Sequence, residues 1–265
     1  MQLQHQEAPM ADEVLFEPVD GAGIITINKP KANQLSGEVF ERIRKFLDVS
    51  ELDKNISTII ITGSGEKIFS AGADLSSGFG DYNAVDFLKR GQDVWNKIED
   101  YPKPVIAAMN GHALGGGFEL ALACHFRLLK KGARVGLTET NLGIMPGYGG
   151  TLRLPRLIGK ARALEMMLLG EQVDSDTALS IGLVNRLCEE GTVLDEAKAL
   201  AAKLAVRPPL SVKAILKVTA MEGSVSKEQY LKAEREELAK LFTTKDMMEG
   251  MMAFAQKRDA KFIGE

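Results

Sequence analysis

The chain has 265 residues, 45% of them hydrophobic and 26% charged, with a formal net charge of −3. That composition describes a water-soluble globular chain long enough to bury a sizeable core, as one large domain or a domain with an appendage. It carries no global basic bias that would suit nucleic acid and no uncharged apolar run long enough to cross a membrane.

The opening MQLQHQEAPMADE is polar and acidic, unlike a signal or transit peptide, so a cytoplasmic protein is expected. Residues 14–16 and 23–28 read as two strands around the Asp20-Gly21 turn. Residues 29–35, KPKANQL, break that pattern, and Ser36 with Val39 makes a helix start. Apolar residues at 39, 40, 43, 46, 47 and 49 then follow a 3.6-residue period. Residues 57–62, STIIIT, suit a strand buried on both faces. A strand tip at 68–75 bends at Gly72, a polar loop follows, and a helix over 84–100 is expected to bury Val85, Leu88, Val94, Trp95 and Ile98. After the strand at 105–109 come a glycine-rich turn, a short helix, two further strand-like runs and a second glycine-rich turn. The recurring strand, loop, helix, strand order implies right-handed crossovers. Beyond Thr151 the pattern is nearly all helical, with a strand-like exception at 183–187, a break at Arg207-Pro208-Pro209 and a methionine-rich last helix over 246–257.

Gly115-Gly116-Gly117 is most simply a tight turn. No GK[ST], GxGxxG or GxSxG accompanies it, which excludes phosphate-loop, dinucleotide and serine-hydrolase readings. Its functional reading is an N–H exposed at a helix start, where the macrodipole favours negative charge; the Ala73 amide, after Gly72, is a second candidate. Glu119 follows Gly116 by three residues among Phe118, Leu120 and Ala121, so an apolar pocket would raise its pKa, although a glutamate near a helix start is commonly a dipole-favoured residue. Glu139 is 20 residues further on, and a strand pair between them would have to fold back to bring the acids together; its plainer reading is a solvated turn acid. Cys124 and Cys188 lack any CxxC spacing, and His112 and His125 suit no zinc motif, so no metal site is expected. Arg153, Arg156, Lys160 and Arg162 read as a solvated helix face, and Met247, Met248, Met251 and Met252 as a packed helix or subunit contact.

Three long motifs in order, FSAGAD (69–74), PVIAAMNGHALGGGFELA (104–121) and LGIMPGYGGT (142–151), continued by LRLPRLIG (152–159) and FAQKR (254–258), resemble the enoyl-CoA hydratase/isomerase (crotonase) superfamily over residues 13–263. The resemblance implies an α/β fold, a crotonase-like spiral of ββα repeats over residues 1–200, with a helical C-terminal trimerisation region over 201–265, commonly assembled as a trimer or as a hexamer of two trimers. It implies a CoA thioester substrate in acyl-CoA and fatty acid metabolism, with coenzyme A part of the substrate and no separate cofactor or metal. Ala73 and Gly116 match the amides of the oxyanion hole, Glu119 and Glu139 the two acids of hydratases, and Gly147 an amide that helps hold the water. Asn33, Gln34, Leu35, Ala71, Asp74 and Leu75 match positions against the CoA, and Lys257 one that reaches the CoA nucleotide of a neighbouring subunit. Segment 29–35 is one residue shorter than the family's RPxxxNAL, with Gln34 for a small residue, and Leu137 stands where many hydratases are polar. Having both acids points to hydration. The rival readings are a double-bond isomerase working through Glu139 alone, a hydratase of a cyclic dienoyl-CoA, and a catalytically idle CoA-thioester binder.

Overall fold

A computed structural model describes residues 12–29, 31–74, 78 and 82–265. The expected hairpin is β1 (Val14–Val19) with β2 (Ala22–Ile27), antiparallel, Val19 opposite Ala22. Its turn residues Asp20 and Gly21 take φ of 47° and 80°, the pair of positive values that a two-residue hairpin turn of the right twist demands and that Asp-Gly supplies cheaply. Ser36 caps α1 (Gly37–Leu52) by accepting the Val39 N–H, and the helix buries Val39, Phe40, Ile43 and Leu47.

From there the chain winds as a spiral. β3 (Thr58–Gly63) and β4 (Ile68–Ser70) lead to α2 (Ala84–Glu99); β5 (Val105–Met109) and β6 (His112–Leu114) lead to α3 (Gly116–Ala123); β7 (Phe126–Lys130) and β8 (Arg134–Gly136) lead to a single 3-10 turn, Glu139–Leu142. The first strand of each repeat joins a six-stranded sheet of order β1-β2-β3-β5-β7-β10, and the second a four-stranded sheet of order β4-β6-β8-β9. From β2 onward the larger sheet is parallel. Its strands alternate between two apolar layers: Ile25, Ile59, Ile61 and Ala107 join the core under α1, α2 and α3, while Ile24, Ile60, Ile106 and Ala108 meet α7 (Val193–Ala205) through Ala197 and Leu200. A strand buried on both faces needs the uninterrupted apolar run that β3 shows.

Several expectations are corrected here. The two strands between Glu119 and Glu139 do not pair with each other: β7 lies between β5 and β10, and β8 between β6 and β9. Parallel neighbours cannot be joined by a short loop, so the brief 131–133 connection carries the chain from one sheet to the other. On α2 the buried face is Phe87, Gly91, Val94, Trp95 and Ile98, whereas Val85 is 74% exposed. After α4 (Gly150–Ile158) and α5 (Lys160–Leu169) comes a two-residue strand that the pattern did not announce, β9 (Val173–Asp174), and then α6 (Ser175–Ser180). The strand expected at 183–187 is β10 (Arg186–Cys188), because Leu183 and Val184 turn back to the Ala178 carbonyl. The remainder is helical: α8 (Pro209–Thr219), α9 (Lys227–Leu241) and α10 (Lys245–Gln256). Among the described residues no helix is long and apolar enough to cross a membrane.

Candidate active site

The spiral brings three segments together: the bend after β4, the start of α3, and residues 138–151. Gly72, at φ 95°, lies so close to α3 that a β-carbon there would sit 3.0 Å from the Gly116 nitrogen and 3.1 Å from the Leu114 oxygen. Leu35 bridges Ala73, donating its N–H to the Gly72 oxygen at 2.9 Å and accepting the Asp74 N–H at 3.0 Å. Those bonds flank Ala73 on both sides. Gly116 is the first residue of α3, and N–H groups in a first helical turn have no intrahelical acceptor. The bend and the helix start meet at one cavity of about 640 Å³, lined by Ala73 and Gly116 together with Glu119 and Glu139.

Glu119 is 1% exposed. Its Oε1 accepts the N–H groups of Tyr148 at 2.8 Å and Gly150 at 2.7 Å, while its Oε2 is buried with no partner among the described residues. Burial pushes its carboxyl up to about 7; the nearby Glu139 charge adds to the rise, and the two amides and Arg153 oppose it. Glu139 opens the 3-10 turn and also has a buried Oε2 without a partner. Its Oε1 lies 3.2 Å from where a β-carbon on Gly115 would be, which sets it against the α3 start. Burial raises its pKa too, against a hydrogen bond from its own backbone. The rest of the wall is largely apolar, with Phe87, Leu88, Leu142, Ile144, Met145 and Tyr148. Both carboxyls thus line one cavity with Ala73 and Gly116, and burial raises the pKa of each.

The other sequence-derived residues lie at varied distances from this centre. Gly147 lines the cavity, and its carbonyl accepts from Gln92 Nε2 at 2.8 Å. Ala71 also lines it, tied by its N–H to the Ala32 carbonyl. Asn33 is buried, its amide donating to the carbonyls of Ser64 and Ile68 at 3.0 and 2.8 Å, so its side chain ties loops together. Gln34 is half-buried and Leu35 fully buried. Asp74 is buried and paired with Lys29 at 2.9 Å. Leu75 lies outside the described residues. Lys257 ends α10 in a left-handed conformation on the exposed surface and does not line the cavity of its own chain. Leu137 is fully buried in the core.

Arg153 overturns the expectation of a solvated basic face. It is 4% exposed and binds Glu99, Asn96 and the Tyr148 carbonyl, while Lys160 and Arg162 do face solvent. Tyr148 is a second residue the motifs did not single out, its ring edge-on to Phe40 and Trp95 at centroid distances of 5.4 and 6.4 Å. His112 and His125 each accept a backbone N–H on Nδ1, from Arg134 and Val105, and so serve the fold.

Comparison with known proteins gives a consistent picture. The family model described as enoyl-CoA hydratase/isomerase matches residues 19–265. The chain is 43% identical over 246 residues to a probable enoyl-CoA hydratase of Bacillus subtilis, covering 91% of this chain and 95% of the relative. It is 38% identical over 258 residues to a crotonyl-CoA hydratase of Syntrophomonas wolfei, covering 96% and 99%. Among solved structures, an enoyl-CoA hydratase from Bacillus anthracis superposes with a TM-score of 0.91 at 35% identity, covering 96% of this chain and all of that one.

Proposed function

The chain belongs to the enoyl-CoA hydratase/isomerase family, and from that premise we propose that it is a hydro-lyase adding water across the 2,3 double bond of an enoyl-CoA thioester to give the 3-hydroxyacyl-CoA. The observation that carries this reading is the pair of carboxyls, each with one buried oxygen that has no partner among the described residues, lining the same cavity as Ala73 and Gly116.

Addition of water at Cβ moves electron density through Cα to the thioester oxygen. The Ala73 and Gly116 N–H groups bind that oxygen, and each such donor is worth roughly 3–4 kcal/mol to the transition state; the amino end of α3 adds a favourable dipole. Glu119, anchored through Oε1 by Tyr148 and Gly150, takes a proton from the attacking water on Oε2, and the Gly147 amide helps hold that water. Protonated Glu139 delivers a proton to Cα from the same face. The two acids titrate as a coupled pair, so the acid and base labels describe one microstate of the pair. Double-bond isomerisation needs a single carboxyl, and the second poised oxygen on Glu119 favours hydration over it.

The acyl-CoA stretches from this cavity past Ala71, Asp74 and the 33–35 segment, and Lys257 serves a neighbouring subunit's nucleotide. Exposed apolar residues on α10, Met248, Met251, Met252 and the 88% exposed Phe254, support assembly into a trimer or a hexamer. A panel of 2-enoyl-CoA thioesters of increasing chain length, with a cyclic dienoyl-CoA, tests the reading through loss of the conjugated thioester absorbance. Turnover of at least one member, abolished in Glu119→Gln and Glu139→Gln, is expected; an intact absorbance for all of them contradicts it.

A further inference from the structure

We propose that Arg153 is a positioning residue for this reaction, locking residues 147–150 between α2 and Glu119 so that the Tyr148 and Gly150 amides hold the Glu119 carboxylate. The inference rests on the hydratase reading for its kinetic consequences and on geometry for the rest. The Tyr148 peptide is gripped from both ends: its N–H donates to Glu119 Oε1 at 2.8 Å, and its carbonyl accepts from Arg153 Nη1 at 2.9 Å. The guanidinium is itself fixed, with Nε donating to Glu99 Oε2 at 2.9 Å and Nη2 to Asn96 Oδ1 at 2.7 Å. Gly149, at φ 99°, lies directly against the guanidinium, since a β-carbon there would overlap Nη1.

Gln92, Asn96 and Glu99 fall at i, i+4 and i+7 of α2, one face of a helix. Gln92 takes the Gly147 carbonyl, so this polar stripe holds two successive carbonyls of the loop, one directly and one through Arg153. The N–H groups of Tyr148 and Gly150 are left pointing to Glu119. A planar fork that serves three acceptors in different directions is something a lysine cannot reproduce. The charge acts in the same sense as the geometry. Around Glu119 the charged neighbours are Glu139, which disfavours its ionised form, and Arg153, which favours it; around Arg153 they are Glu99, Asp100 and, through Glu99, Arg156.

The test uses Arg153→Met, Arg153→Lys and, at an exposed position of α2, Asn96→Ala. Each is measured as the full chain for kcat, KM and the pH profile of enoyl-CoA hydration. The titration midpoint of Glu119 is read independently from the protonated-carboxyl infrared band that Glu119→Gln removes. Displacing a held group by about an ångström costs about 100-fold in rate, so Arg153→Met is expected to lower kcat by about 10- to 100-fold with little change in KM. Its Glu119 midpoint moves to higher pH, because both the positive charge and the held amides favour the carboxylate. Arg153→Lys keeps the charge, so it moves the midpoint less while still lowering kcat, and Asn96→Ala lowers kcat more modestly. If Arg153→Met does not fold, the other two decide. Folded variants whose Glu119 midpoint and kcat match wild type overturn the proposal, as does a loss of stability with the midpoint unmoved. A wild type that hydrates no thioester sinks the hydratase reading, whereas the infrared midpoints still decide the role of Arg153.

Discussion

Replacing Glu119 by Gln should stabilise the protein progressively as pH rises. Burial holds this carboxyl up from an ordinary 4.5 to about 7. Below the unfolded value the proton is bound in both states and costs nothing. Between about 4.5 and about 7 the unfolded chain ionises while the native state keeps its proton, so the stability conferred by the bound proton is lost over that window, to a limit of about 3 kcal/mol. Gln is neutral throughout and keeps one oxygen for the Tyr148 and Gly150 amides. Its amide nitrogen takes the place of the unpartnered Oε2, adding a cost of about 1–3 kcal/mol that does not depend on pH. The diagnostic is therefore the trend. The unfolding free energy of Glu119→Gln relative to wild type should rise by about 2–3 kcal/mol between about pH 5 and about pH 8.5. Urea unfolding at fixed protein concentration, followed by circular dichroism at several pH values, measures it. Parallel stability curves would mean that Glu119 titrates as an ordinary carboxyl, and the physical basis for its role as base would be gone.

In kinetics, Glu119→Gln and Glu139→Gln should each lower kcat by several decades with a smaller change in KM. Their combination should lose far less than the product of the two, since groups acting on one proton relay fail together; multiplicative losses would show two independent roles. Ionised Glu119 is needed for water attack, so kcat/KM should fall as pH drops below about 7, and an acid limb well below that, near the ordinary carboxylate range, would contradict the assignment. Gly91→Ala would set a β-carbon into the Tyr148 ring and 3.1 Å from Phe40. Overpacking of this kind costs about 1–3 kcal/mol, and because the Tyr148 peptide holds Glu119, kcat should drop along with Tm; an unchanged kcat would separate the ring from the catalytic loop.

Much of the architecture is written in local pattern. Ser36 before an amphipathic period marks the start of α1, Asp20-Gly21 marks a hairpin, and the apolar run of β3 marks a strand covered on both faces. Pattern could not say which sheet a strand joins: β7 and β8 follow one another closely, like a hairpin, yet the crossovers that make the large sheet parallel send them to different layers. A two-residue strand such as β9 is too short to show any period. At the centre, Gly72 and the 115–117 glycines were legible as points of close backbone approach, whereas residue pattern alone read Glu119 as dipole-favoured and Glu139 as a solvated turn acid, and it was the resemblance that marked the two as a pair. Arg153 was misread because an arginine among other basic residues on a helix looks alike whether it faces water or a buried carbonyl. Its partners were visible only as Gln92, Asn96 and Glu99 spaced along one face of α2, a polar stripe whose purpose depends on a loop some fifty residues later.

The most direct test of the central claim is incubation of the enzyme with a turned-over 2-enoyl-CoA in 18O-labelled water, with mass analysis of the product. Hydration through Glu119 and Glu139 requires solvent oxygen at C3 of a 3-hydroxyacyl-CoA, with Glu119→Gln suppressing labelling far more than any 3-enoyl to 2-enoyl interconversion. Rapid conversion of 3-enoyl-CoA with no labelled hydroxyacyl product from any 2-enoyl-CoA would contradict it and give the site to the isomerase reading.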